Sequence, residues 1–557
     1  MMSRAERQTL LQHLKEQLVG GFADALQGDI AALDSLNTQL RQLYDANSLQ
    51  TLRCARVVGM TTSGVARMQN LVEALQPKVL LIEEAGELLE AHTLASLSTA
   101  TEHVILIGDH EQLRPKPQYY PLEAASGRGY NLDVSAFERL ASSGSIPVVT
   151  LQEQRRMRPD ISRLIRAPIY PSLRDHPSVA AYPAVRGMAQ PLFMLAHSVP
   201  EGGQGADDSR SKFNCHEVDL AVGLASYLIK QGYTKEGDLV ILTPYVGQLR
   251  RLTKAVAASN MRVLLSDRDT EELAKLVDEA TAAAVAAVEA GDAAAAAAAA
   301  SGGGDVAAAA AGSTGDTGSG GAAGGGAAAG GTTVTDMQSC LRLATIDNFQ
   351  GEEATVVILS LVRSRPDGNI GFLRLRNRIN VLLSQGQARH VPAGQCRCAA
   401  AAVGRCTLGK SADTLRAAAA PPPEGSRRPA APMWGQVLDM LQERDCVGRE
   451  LELVCQKHGN STRVCQPDDF ELLAGDGGCQ LPCDERLPCG HACRRRCHAD
   501  DPGHLTSRCL QPCARLCAAG LHACSKLCFE ACGRCLEQVD GVVLPCGHTA
   551  DGVACYQ

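Results

Sequence analysis

The 557-residue sequence has no excess of positive charge: 54 Lys and Arg stand against 61 Asp and Glu, a formal net charge of −7. Bulk electrostatics therefore supplies no pull toward a polyanion, and any grip on RNA or DNA must come from a local groove. The sequence also lacks a run of 18 or more strongly apolar residues and a charged-then-apolar leader; the expectation is a soluble, intracellular, cytoplasmic protein with no membrane segment. A third absence is chemical. No G-x-x-x-x-G-K-[ST], the loop whose N–H groups cradle nucleotide phosphates, stands ahead of Glu83. The length is enough for about three to four domains.

Cysteine is plentiful and uneven. Of 23 cysteines, 14 lie between Cys479 and Cys555, interleaved with His491, His498, His504, His522 and His548. A disulfide framework has no need of the histidines, whereas thiolate and imidazole at short gaps satisfy tetrahedral zinc. The unit C-x-H-x-C-x3-C reads Cys489, His491, Cys493 and Cys497, preceded by Cys479 and Cys483. It recurs more loosely as Cys517, His522, Cys524, Cys528, Cys532 and Cys535, after Cys509 and Cys513. A third start, Cys546 and His548, reaches Cys555. The four ligands from Cys489 to Cys497 are expected to close around one ion, while the pairing of the others is not readable. With so few apolar residues in the tail, metal should supply most of its folding free energy.

Residues 1–52, with Leu10, Leu11, Leu14 and Leu18 at helical spacing, read as a helical arm. Beyond it come short apolar runs that end in polar loops: "KVLLIEEAGE", "HVILIGDHEQLRP", "DLVILTPYVGQ", "LRLATIDNFQGEE" and "TVVILSLVRSR". These are buried-strand patterns of a parallel α/β sheet. Two lobes are expected, an incomplete one over 53–150 and a second over 151–400, the latter interrupted by a disordered Ala/Gly insertion at 281–331. A low-complexity linker (401–432), a helical connector (433–475) and a Cys/His-rich region (476–557) complete the division.

Glu83 and Glu84 directly after a strand suit an ATPase, one carboxylate holding Mg2+ and the next orienting the attacking water. Gln112 of "GDHEQLRP" can sense a γ-phosphate, and Arg156 of "QRRMRP" and Glu352 of "DNFQGEE" complete an ordered set. In order and spacing this set resembles the superfamily-1 helicases, in the branch of the nonsense-mediated-decay RNA helicase, over roughly Arg56 to Ser384. The resemblance implies two RecA-like lobes using ATP and Mg2+. It makes Glu83 the Mg2+ ligand and Glu84 the base, puts Gln112 and Arg156 near the γ-phosphate, and lets Glu352 couple nucleotide to RNA. Asp109, Gln350 and Gly351 would contact the nucleotide. Thr61, Thr62, Thr243 and Pro244 would contact nucleic acid. The tail resembles the X-box-binding-factor type of zinc finger. Helicases carrying that finger imply RNA as ligand, roles in RNA silencing, surveillance or antiviral sensing, protein partners through the fingers, and a location in cytoplasm, RNA granules or nucleus.

Two departures bear on activity. The string GRCTLGKS, Gly404 to Ser411, satisfies the phosphate-loop pattern but lies far behind the acidic motif, after "CRCAAAAV" rather than a β-branched strand. It reads as a chance match, with Lys410 no ligand and the true loop expected upstream of Met1. In the last motif, Ser384 is followed by Gln385 and Gly386 where the family pattern has an arginine finger. Dropping one base after the Ser384 codon allows the family's continuation, so a frame or splice anomaly is expected from Gln385 to near Arg405. It would also account for Cys396, Cys398 and Cys406. A non-catalytic RNA- or protein-binding scaffold is the competing reading, and a ubiquitin ligase built on the cysteine array is a weaker one.

Overall fold

The computed structural model describes residues 4–202, 212–259, 261–276, 340–364, 370–384, 404–408, 415–416, 419, 432–513, 515–517 and 520–556. The expected insertion at 281–331 lies outside the described residues, as does the expected frame anomaly apart from 404–405. The chain divides into two compact units, Met1–Val149 and Thr150–Gln557. Among the described residues no helix is long and apolar enough to cross a membrane.

The first unit opens with a helix, Arg4–Leu52, whose Phe22, Leu33 and Leu43 are all exposed. After it, strands β1 (Val79–Ile82) and β2 (His103–Leu106) pair in parallel, from Val79 opposite His103 to Ile82 opposite Leu106. The runs VLLI and HVIL are the stretches that the apolar pattern marks as strands.

The second unit begins with a short parallel pair, β3 (Glu153–Gln154) and β4 (Arg174–Asp175). Its main sheet holds β5 (Leu192–Leu195), β6 (Leu239–Thr243), β7 (Arg262–Leu264), β8 (Cys340–Thr345), β9 (Val356–Ser360), β10 (Gly404–Leu408) and β11 (Val447–Gly448). They lie in the order β11-β5-β10-β9-β6-β8-β7, and every pairing is parallel. LVILT and VVILS are buried along their whole length, as strands covered on both faces must be. Leu220 and Leu224 of the helix Cys215–Lys230, with Leu249 and Leu252 of the helix Val246–Ala258, pack in the same core as these strands.

Two expected boundaries need correction. The 401–432 stretch, read as a linker, contributes β10, which is hydrogen-bonded to β9 on one side and β5 on the other. The lobe therefore does not end at 400. Beyond it, in the expected connector, the helix Pro432–Gln442 buries Trp434 with its indole N–H donating to the Leu373 carbonyl at 2.8 Å, and β11 adds an edge strand to the sheet. A strand flanked by two parallel neighbours has its backbone groups satisfied by the ladder, so β10 forms without the apolar run that marks β6 and β9.

Candidate nucleotide, nucleic-acid and metal sites

Because β1 and β2 are parallel, the loops that follow them leave from one edge of the sheet, where ligands of open α/β sheets bind. The pairing runs on past the strands: Ile107 N–H donates to the Ile82 carbonyl at 2.8 Å and Ala85 N–H to the Ile107 carbonyl at 2.9 Å. Glu84 adopts a left-handed conformation (φ 51°), uncommon without glycine, and turns the chain into the short helical turn Ala85–Glu87. Both Glu83 and Glu84 are exposed.

Two glycines let the loops meet back to back. A Cβ on Gly86 would stand 2.9 Å from the Asp109 carbonyl oxygen, and one on Gly108 would stand 2.8 Å from the Gly86 nitrogen. The carboxylate pair is thus fastened beside Asp109. One oxygen of Asp109 accepts the Glu111 N–H and the other accepts the Gln112 side-chain amide, each at 3.0 Å. Asp109 therefore orients Gln112. Hard-oxygen donors at the exposed Glu83 and the half-buried Asp109 are of the kind that magnesium takes. Thr61 caps the helix Thr62–Arg67, its hydroxyl accepting the Gly64 N–H at 3.1 Å, with Thr61 exposed and Thr62 half-buried.

In the second unit the loops after β6, β8 and β9 share one edge. Arg156 donates to Glu353 at 2.9 Å, with both side chains about one-third exposed (35% and 31%). Glu352, the residue singled out from sequence, is instead held by Arg342, at 2.8 and 3.1 Å. Asp347 receives both arms of Arg378, at 2.9 and 3.2 Å, tying the loop after β8 to the helix Arg376–Ser384. Gly351, at φ 82°, makes the turn between Gln350 and the two glutamates. Thr243 is fully buried at the end of β6 and its hydroxyl accepts the Tyr245 N–H at 3.4 Å, so it offers nucleic acid no surface, whereas Pro244 is half-buried. This corrects the expectation for Thr243: a residue closing a central strand is sealed by the sheet around it.

Glu353, Asp347, Arg378 and Asp269 are the residues that sequence reading passed over. Asp269 is fully buried and accepts from the Thr345 N–H (3.2 Å), the Thr345 hydroxyl (3.1 Å), the Asn348 amide (2.8 Å) and the Ser266 hydroxyl (2.7 Å). The run "SDRDT" after β7 holds the loop after β8 in place. Its polarity directly behind a strand was the available signal.

GRCTLGKS is not a phosphate cradle. Its first five residues form β10, with backbone groups committed to β5 and β9, whereas a cradle needs them free to face phosphates. Gly409, Lys410 and Ser411 lie outside the described residues.

The tail's cysteines and histidines gather into four clusters of four and one of three among the described residues. Cys455, His458, Cys479 and Cys497 form the first; Cys483, Cys493, His498 and His504 the second; Cys489, His491, Cys509 and Cys528 the third; Cys517, His522, Cys535 and Cys555 the fourth; Cys513, Cys524 and Cys532 the group of three. The expectation that Cys489, His491, Cys493 and Cys497 close around one ion is therefore wrong, because they fall in three clusters. Gly490 turns the chain at φ 89° between Cys489 and His491, which share the third cluster, while Cys497 lies on the strand Arg496–His498 and belongs to the first. Cys546 and His548 fall in none of the clusters found among the described residues. Cys455 and His458, ahead of the cysteine-dense tail, were missed; a C-x2-H spacing was the only mark they carried.

The donor sets suit zinc. Burial opposes ionisation of Cys455, but the N–H groups of His458 and Lys457 outweigh it and bring the thiol down to about 6. The His491 N–H likewise brings Cys489 down to about 6. Burial holds His498 below the ordinary histidine value, which keeps its imidazole in the neutral form that metals bind.

Two family models, each described as an AAA domain, match the chain, one over residues 23–116 and the other over 132–276 and 328–396. The chain is 32% identical over 511 residues to the NFX1-type zinc finger-containing protein 1 of Mus musculus, covering 92% of this chain and 21% of that protein. It is 30% identical over 544 residues to the Caenorhabditis elegans homolog, covering 95% and 18%. It is 29% identical over 337 residues to the Helicase required for RNAi-mediated heterochromatin assembly 1 of Schizosaccharomyces pombe, covering 60% and 25%. The chain thus spans about a fifth of the length of the first two relatives.

Proposed function

Because the chain belongs to the superfamily-1 helicases of the up-frameshift branch, we propose that it is the finger-bearing part of an ATP-dependent RNA helicase or translocase. The observation that carries this reading is the shared strand edge in the first unit, where Glu83, Glu84, Asp109 and Gln112 are fastened together through Gly86 and Gly108. Glu83 would hold Mg2+, with Asp109 alongside, and the ion would supply neutralisation of the charge building on the phosphates. Glu84 takes the proton of the attacking water, and Gln112 and Arg156 address the γ-phosphate.

In the second lobe, Arg156 is joined to Glu353 and Asp347 to Arg378, so a change at the phosphate side reaches the loop after β8 directly. Gln350 and Gly351 face nucleotide, and Glu352 with Glu353 couples it to RNA gripped by Thr61, Thr62 and Pro244. The clusters hold Zn2+ and present the finger region to RNA or protein partners. RNA silencing, surveillance or antiviral sensing in cytoplasm, granules or nucleus is the setting we propose.

One observation favours a second reading for this chain by itself. Its match to the phosphate-loop pattern begins inside β10, which suits a scaffold that places the fingers without turning over ATP. Hydrolysis measured for this chain and for the natural full-length protein side by side decides between the two. Stimulation by single-stranded RNA, with duplex unwinding, is the helicase outcome; RNA binding without turnover is the scaffold outcome.

A further inference from the structure

The first Cys/His cluster is unlike the others because its ligands come from two different parts of the fold. Strand β11 lies on the edge of the lobe's sheet beside β5, and the chain then turns into a hairpin of β12 (Leu451–Val454) and β13 (Ser461–Val464). Leu451, Leu453 and Val464 of this hairpin are buried in the core of the lobe. Val454 N–H donates to the Gly187 carbonyl at 2.9 Å, and Ala189 N–H to the Glu452 carbonyl at 3.1 Å. The hairpin is part of the lobe. Its tip is closed by Cys455 N–H on the Asn460 carbonyl and Gly459 N–H on the Cys455 carbonyl, both 2.9 Å, with Gly459 at φ 68°. That tip presents the sulfur of Cys455 and the Nδ1 of His458.

Facing it are Cys479 on β14 (Gly477–Pro482) and Cys497 on β15 (Arg496–His498), the pair of strands that opens the finger region. The sulfurs of Cys455 and Cys497 are 3.6 Å apart, His458 Nδ1 is 3.7 Å from Cys455 and 3.3 Å from Cys479, and all four ligand atoms lie within 4.8 Å of one another. A tetrahedral zinc with bonds of about 2.3 Å to sulfur and about 2.0–2.1 Å to nitrogen has edges of about 3.8 and 3.6 Å. A disulfide needs about 2.05 Å. The three cysteines are buried together and are free thiols.

We propose that Cys455, His458, Cys479 and Cys497 hold a structural zinc that staples the finger region to the second lobe, two ligands from each side. The staple rests on the reading of the other clusters as zinc sites, and it gives this ion a role of its own. The others close the finger region on itself, and this one fixes its direction on the lobe. Neighbouring contacts point the same way. Lys457 of the hairpin tip pairs with Glu485 across the junction at 3.1 Å, and Gln231 of the lobe donates to the Gly477 carbonyl at 2.6 Å.

The test uses the whole chain. Zinc per chain is measured by elemental analysis for the wild type and for a double variant, Cys455→Ser with His458→Ala. The expected result is the loss of one zinc, with the rest retained. An unchanged count overturns the staple. A wild type with no zinc removes the reading of all the clusters, which is a different result. A second measurement needs no variant: thiol alkylation followed by mass spectrometry, with and without chelator. Cys455, Cys479 and Cys497 should be protected together and released together, while Cys465, outside the clusters, reacts alike in both conditions. Alkylation of Cys455 in the metal-loaded chain at the rate of Cys465 overturns the proposal even if the variant fails to fold.

Discussion

Removing the Asp269 carboxylate should unsettle the second lobe more than any surface change. The group has no exposure to solvent and accepts four hydrogen bonds, two from Thr345, one from Asn348 and one from Ser266, with Arg342 at 3.6 Å. Asp269→Ala leaves the buried Thr345 N–H and hydroxyl and the half-buried Asn348 and Ser266 donors without their acceptor, at about 1–3 kcal/mol for each buried group that finds no replacement. Relaxation and entering water recover part of this, so a net loss of about 3–5 kcal/mol is expected, as when one partner of a buried charge network is removed. Asp269→Asn keeps the shape and one acceptor oxygen and should cost about 1–2 kcal/mol. The chain has a single tryptophan, Trp434, and it is buried in the same lobe, so its fluorescence in a urea titration reports the lobe directly. The midpoint should fall while the slope holds. An alanine variant within about 0.5 kcal/mol of wild type, the range of an ordinary surface substitution, refutes the claim that Asp269 anchors the loop after β8.

Other expectations follow from the same geometry. Gly108→Ala places a Cβ 2.8 Å from the Gly86 nitrogen, backbone that cannot swing aside, so the first unit should lose about 1–3 kcal/mol; an unchanged melting temperature contradicts the back-to-back packing. Lys410→Ala should leave nucleotide binding as it was, and a loss of ATP binding in that variant would restore GRCTLGKS as a phosphate loop. Chelation should unfold the finger region and leave the lobes intact. Zinc should also be released as pH falls below about 6, where protons compete for imidazole and thiolate; a finger region that stays folded without zinc contradicts this.

The apolar runs of β6 and β9 were legible because strands buried on both faces need continuous apolar stretches; β1 and β2 carry the same kind of run although most of their residues are exposed or half-buried. Strand β10 was not. RCTL carries no such run, and only its two neighbours in the sheet make it a strand. The choice between Glu352 and Glu353 was equally hidden: adjacent acids look alike in sequence, and the turn at Gly351 decides which meets Arg156 and which meets Arg342. In the tail, the Cys/His pattern was readable but the grouping of its residues was not. Cys455 and Cys497 are 42 positions apart and Cys489 shares a cluster with Cys528, so each site is assembled by the fold rather than by local spacing.

Glu84→Gln in the natural full-length protein probes the hydrolytic role proposed for the loops after β1 and β2. ATP binding and RNA-stimulated hydrolysis are measured side by side. Binding should persist while turnover falls by about 10²-fold or more, the contribution of a positioned general base. RNA-stimulated turnover at the wild-type rate in that variant would contradict it.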